Sequence, residues 1–227
     1  MRLTAIVVTG ILGSLMCAFA CGGTVPVAAD VTVNAANADS NLNAITTRGG
    51  LLSGLDDTGS DYRFFLKFQL ASIDPAKIAA ARLVGTYTDD FGPVDSFHQL
   101  YFVADDGWDE TTVTWNSQPA LGPATAGGFE ATAHAPGDVV HFDVTAEVIR
   151  EAAGDGMLSL TLTTIDGRFE DLEFFASREF DPARAFRLEI DDAPAGVIPL
   201  PSALHVAPVV LACALMIATR AARSYAR

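Results

Sequence analysis

From Ala28 to Asp192 apolar and polar residues alternate with a period of two almost throughout. In DYRFFLKFQL, Tyr62, Phe64, Leu66, Phe68 and Leu70 occupy one set of positions, and Asp61, Arg63, Phe65, Lys67 and Gln69 the other. Successive side chains of an extended chain point to opposite faces, so this stretch predicts a long strand with one face in a core. The same alternation runs through Val140, Phe142 and Val144, through Leu158, Leu160 and Leu162, through Leu172, Phe174 and Ala176, and through Phe186, Leu188 and Ile190. ARLVGTYT, SFHQLYFVA and VTVNAA add three more. About eight short strands separated by Gly, Pro and Asp turns predict an all-β sandwich or barrel. One helix is expected, in DVTAEVIREAAGDG, with Asp143 or Thr145 as cap and Gly154 closing it. LGPATAGG reads as a Gly/Ala loop.

The two ends break this pattern. Residues 1–20 carry Arg2, an apolar run and Ala18-Phe19-Ala20 before Cys21, the layout of a secretory signal peptide. Cys21 stands where a lipoprotein carries its lipid, although Ala18 and Phe19 fit a lipobox poorly. Residues 197–227 hold a Pro-rich hinge, an uncharged run from Ala203 to Thr219 of transmembrane-like helix character, and then Arg220, Arg223 and Arg227. Between them, residues 28–193 form the expected single domain. Cys17, Cys21 and Cys213 all fall in the end segments, so the body has no disulfide and is held by its core. The stretch from Cys21 to Val197 has ten basic against 28 acidic residues, a formal charge of −18. Such a body repels nucleic acid.

Candidate chemistry is sparse. Arg63, Lys67 and Gln69 share a face with Phe65 between the two cations, which suits a flat, anionic ligand; ion pairing with neighbouring strands explains the same residues. In GWDETTVTWN, Trp108 and Trp115 are an odd number of residues apart and cannot share one strand face. The segment therefore reads as a loop from Gly107 to Thr112 in which Trp108 covers the end of the core, followed by a short strand carrying Val113 and Trp115 inward. A glycosidase needs two carboxylates across one bond, and no such pair stands out. A polysaccharide lyase built from Tyr87, His98, His141 and Arg63 is the enzymatic alternative, against which three scattered histidines in a β-rich body weigh. The doublets Asp56-Asp57, Asp89-Asp90, Asp105-Asp106 and Asp191-Asp192 are solvated turns or oxygen ligands for Ca2+, the one cofactor the composition offers.

Four motifs in order, RFFLKFQL, DDGWDETTVTWNSQPALG, HFDVTAEV and LEFFASREFDPARAFRLEI, resemble the DNRLRE-type domain, also classed as an alginate-binding carbohydrate-binding module family. The resemblance spans about Asp30 to Asp192. It implies an antiparallel β-sandwich of jelly-roll type without catalysis, binding acidic polysaccharide. It places the family's basic positions on Arg63, Lys67 and Arg178, with Glu179 following; Arg48 is a further candidate cation, and Phe65 or Tyr101 would stack on a sugar. The chain departs from the pattern in DSNLNAITTRGGL, where Leu42 and Asn43 replace Tyr and Gly, and in the acidic loop LLSGLDDTGSD. Ile198-Pro199-Leu200-Pro201-Ser202-Ala203 with its apolar run and terminal arginines resembles a PEP-CTERM sorting signal of the VPLPA type. That implies export, transient membrane retention and cleavage by an exosortase-type transpeptidase, leaving the protein at the cell surface or outside. A passive component of the biofilm matrix or cell surface is the alternative function.

Overall fold

The computed structural model describes residues 22–43, 47–91, 96–165 and 169–193, all within one compact unit, Phe19–Ala193. Residues 1–20 and 197–227, with the sorting motif Ile198, Pro199, Leu200 and Pro201, lie outside the described residues. Among those described, no helix is long and apolar enough to cross a membrane.

Among the described residues eleven strands run in chain order: β1 (Gly23–Pro26), β2 (Ala29–Asn34), β3 (Gly50–Leu55), β4 (Asp61–Gln69), β5 (Ile78–Phe91), β6 (Phe97–Val103), β7 (Ala124–Glu130), β8 (Val139–Asp143), β9 (Met157–Thr164), β10 (Leu172–Ala176) and β11 (Arg187–Asp192). One α-helix, α1 (Thr145–Ala153), joins β8 to β9. Every pairing is antiparallel. One layer runs β1-β11-β5-β8. The other runs β2-β4-β9-β6-β7. The end of the long β5 pairs with β10, β10 with β3, and β3 with the start of β4, so the sheet curves from one layer into the other. The all-β antiparallel architecture with one helix matches the sequence expectation.

The core forms where the period-two pattern puts it. Phe64, Leu66, Phe68 and Leu70 meet Leu158, Leu160 and Leu162 beside them and Leu83, Phe142, Leu188 and Ile190 across the interior. Phe64, Tyr87, Phe129, Phe175 and Phe186 form a connected aromatic cluster, with ring centroids 5.2–5.7 Å apart. Each such buried side chain is worth about 1.5–3 kcal/mol of burial. The helix buries Val148 and packs Ile149 and Ala152 against the same core. Val144 occupies its N-cap without a side-chain bond. Asp143 instead accepts from the Thr145 amide, and the Gly154 amide closes the far end on Glu151 O.

Three expectations are corrected. LGPATAGG is not a loop: its residues from Ala124 onward begin β7. Gly127 lies so close to the neighbouring β8 that an added Cβ would sit 2.8 Å from Phe142 Cβ. Only glycine permits that approach. LLSGL, read as part of an acidic loop, is β3. On β10 the inward residues are Glu173 and Phe175. Leu172 and Phe174 instead form a separate cluster with Leu52 and Tyr62, because this strand is buried on both faces and has no single apolar side.

Gly127→Ala is expected to destabilise the fold by about 1–3 kcal/mol, since the first atom of Phe142 cannot swing away. Gly23→Ala, with nothing within 4 Å, should change stability by less than about 0.5 kcal/mol. Urea titrations of the two variants test the pair.

Candidate functional site

The outer face of β4 is not open. The segment between β6 and β7 contains turns but no strand, and it lies across β2 and β4. Trp108 and Val113 bury against Val31, Val33, Phe65 and Val103 in a second apolar cluster, with Trp115 packed at its edge. Trp108 covers this sheet face and not the end of the main core. The short strand expected at Val113 and Trp115 is replaced by two turns, because the Val113 amide donates back to Asp109 O and the Ser117 amide to Thr114 O. Asp109 does bind the Thr111 amide, as a turn carboxylate should.

The expected cationic strip is therefore built into the structure. Phe65 is fully buried, 6.0 Å from the Trp108 ring, and is unavailable for sugar stacking. Lys67 lies over the Trp108 ring at 4.3 Å and donates to Asp106 O at 2.8 Å and to Trp108 O. Arg63 pairs with Asp61 and lies over the Trp115 ring at 4.3 Å. Long basic side chains covering aromatic surface with their stems while their heads find oxygen is ordinary packing chemistry. These residues hold the covering segment down. Arg48, the further candidate, pairs with Asp89.

Gln69, at the end of β4, is exposed. It lines a groove of about 380 Å³ with Thr24, Val25, Pro26, Val27, Ala28, Ser72 and Ile73. Arg178 reaches the same region from the turn after β10, donating through Nη1 to Ala28 O. Of the sequence candidates, Gln69 lines this groove and Arg178 only contacts its lining residue Ala28, while Arg63, Phe65 and Lys67 belong to the covered face.

Arg178 also anchors an acidic cluster that the sequence did not reveal. Its amide donates to Asp30 Oδ2 at 2.9 Å, and its guanidinium to Glu110 Oε1 at 2.5 Å and Glu179 Oε1 at 3.2 Å. The Asp30 amide donates to Glu110 Oε2 at 3.1 Å. Burial, and then the Glu179 carboxyl beside it, push Asp30 up to about 8. Asp30, Glu110 and Glu179 come from three distant segments. One signal was present: Asp30, Thr32 and Asn34 alternate with Val31 and Val33, and all three are fully buried. That polar face stitches β2 to its surroundings, through Thr32 to Gly50 O and the Leu52 amide and through Asn34 to Ser60. Of the acidic doublets, Asp56 organises a turn on Thr58 and Ser60, Asp105 binds the Gly107 amide and Asp191 pairs with Arg82.

The lyase constellation does not assemble. His98 is fully buried, with Nδ1 2.8 Å from Ser53 Oγ and Nε2 2.7 Å from Ser96 Oγ. Tyr87 is buried and donates to Glu173 Oε2 at 2.5 Å. His141 is exposed on β8. A polymer cannot reach the first two, so these four residues do not bring a base and a cation together on a substrate.

No curated protein matches the chain. The family model for carbohydrate-binding module family 96 matches residues 23–189, from the first residue of β1 into β11. That span takes in both layers, the covering segment and the Arg178 cluster, and so the chain belongs to carbohydrate-binding module family 96.

Proposed function

We propose that this chain is an exported, non-catalytic protein that binds extracellular or cell-surface polysaccharide, with an acidic polymer as ligand. The observation that carries this reading is the family match along the whole β body. The ligand lies in the groove beside Gln69. That groove is concave, joins backbone of the β1–β2 connection to polar side chains of Gln69 and Ser72, and has Arg178 at its Ala28 end. Glycans are held in such clefts by a few convergent polar groups. Arg178, bonded to Ala28 O, Glu110 and Glu179, fixes this end of the groove, and Gln69, Ser72 and the backbone of residues 24–28 are the groups that would meet the sugar. The jelly-roll and DNRLRE-type assignments, and residues 1–20 and 197–227 as export and PEP-CTERM sorting signals, belong to the same reading. The protein is then retained transiently in the membrane until an exosortase-type transpeptidase removes its tail.

Affinity electrophoresis of the mature protein through gels containing alginate, pectate, hyaluronan or neutral glucans tests the binding. Retardation by a uronate polymer, reduced in Gln69→Ala, is expected. Unaltered mobility in every gel, with and without calcium, would favour the passive matrix role. The commitment of Arg63 and Lys67 to internal partners is the observation that speaks for that second reading.

A further inference from the structure

The carboxylates of Asp30, Glu110 and Glu179 each place one oxygen within 4.8 Å of the others. Arg178 bonds to all three, to Asp30 through its backbone amide and to Glu110 and Glu179 through its guanidinium, so a single cationic side chain serves three carboxyls. Arg178 and the Asp30 amide take both oxygens of Glu110 and one of Glu179. Asp30 is fully buried, and its Oδ1 has no hydrogen-bond partner. Buried carboxylate oxygens normally have one, because leaving an acceptor unpaired away from water costs about 1–3 kcal/mol. Carboxylate oxygens of Asp30 and Glu179 lie within 4.8 Å of each other, and like charges at that range repel unless a cation or a proton offsets them.

We propose that Asp30, Glu110 and Glu179 form a divalent-cation site suited to Ca2+. All three donors are hard oxygens, which exclude the softer metals that favour nitrogen and sulfur. Their arrangement, drawn from a strand, a covering loop and a turn, is irregular, which Ca2+ tolerates and Mg2+ does not. Glu179, on the exposed turn after β10, leaves a solvent side for water ligands. The ion would tie together β2, the covering segment and the β10–β11 turn, adding to the bonds that Arg178 and the Asp30 amide already make between them. Arg178 then acts as a positioning residue, orienting two carboxylates while its charge offsets the third. This site is independent of the glycan reading, since it is defined without any sugar.

The test uses the mature protein stripped with chelator, with CaCl2 alone as probe and no polysaccharide present. Titration calorimetry should show one Ca2+ per chain, and the midpoint of thermal unfolding should rise in about 5 mM Ca2+, more than in equal Mg2+. Asp30→Asn and Glu179→Gln should weaken Ca2+ binding by at least about tenfold, and Asp57→Asn, in an exposed turn, should leave it unchanged. Glu179 is exposed, so its variant remains folded and informative even if Asp30→Asn does not. No binding heat and no midpoint shift in the wild type would overturn the site. So would Ca2+ binding undiminished in Glu179→Gln, which would place the ion elsewhere.

Discussion

Trp108→Ala should lower the unfolding free energy by about 3–5 kcal/mol, the usual cost of truncating a large buried aromatic side chain. Three separate contacts are lost. The indole is only 7 % exposed and covers Phe65, Val31, Val33 and Val103, which would be left facing water or a void. Its Nε1 donates to Ser159 Oγ at 3.0 Å, so the hydroxyl of a fully buried serine loses its partner. Lys67 loses the ring beneath its ammonium. Equilibrium unfolding in urea, followed by far-ultraviolet circular dichroism, measures the loss. Trp108→Phe should recover more than half of it by restoring apolar area without the hydrogen bond. Trp115→Ala, at the partly exposed edge of the same cluster, should cost less than half as much. A loss below about 1 kcal/mol for Trp108→Ala would mean that the covering segment contributes little to the fold.

The second large effect is one of pH. Glu173 is fully buried inside the fold. Burial, with the nearby charges of Asp90 and Asp171 adding to it, raises its carboxyl from the ordinary 4.5 to about 8, although the bond from Tyr87 works the other way. The unfolded chain releases this proton near pH 4.5 and the folded protein holds it until about pH 8. Glu173 is therefore most compatible with the fold below pH 4.5, and stability is lost as pH rises through the window between those two values. The loss is on the order of 5 kcal/mol. Glu173→Gln keeps an acceptor for the Tyr87 hydroxyl and carries no charge at any pH. Its advantage over the wild type should be near zero at pH 4.5 and grow steadily to pH 8. The difference between the two proteins in urea midpoint, measured across that range, isolates Glu173 from every other titrating group. A difference that does not change with pH would show that Glu173 is already ionised in the folded protein.

The parts of this structure that could be read in the sequence are those where one strand face meets the core and the other meets something polar. β4, β9 and β11 are of this kind, and Phe64, Leu160 and Leu188 fall where the alternation puts them. β7 was invisible because Gly127 answers to the approach of Phe142 and Gly128 to that of Phe97, contacts that leave no periodic mark. β10 misled because it is buried on both faces and turns its one charge, Glu173, inward to Tyr87. The covering of β4 was hidden for a related reason. Arg63, Lys67 and Gln69 alternate with apolar residues whether water or a loop lies over them, and period two cannot distinguish the cases. Gln69 is exposed, and Arg63 and Lys67 are half-buried against the covering segment. The two tryptophans that close the face were visible as a pair on opposite sides, but nothing local says which strand they cover. Asp30 and Arg178, 148 residues apart, come together only through the completed topology.

With the cations of β4 fastening the covering segment, the groove beside Gln69 is the proposed place of the carbohydrate ligand. Hydrogen exchange of the mature protein, with and without a polysaccharide that retards it in gels, tests this most directly. The account predicts added protection of backbone amides in residues 24–28 and 69–73, with residues 104–118 unchanged. Protection concentrated in 104–118 and β4, with 24–28 unaffected, would contradict it.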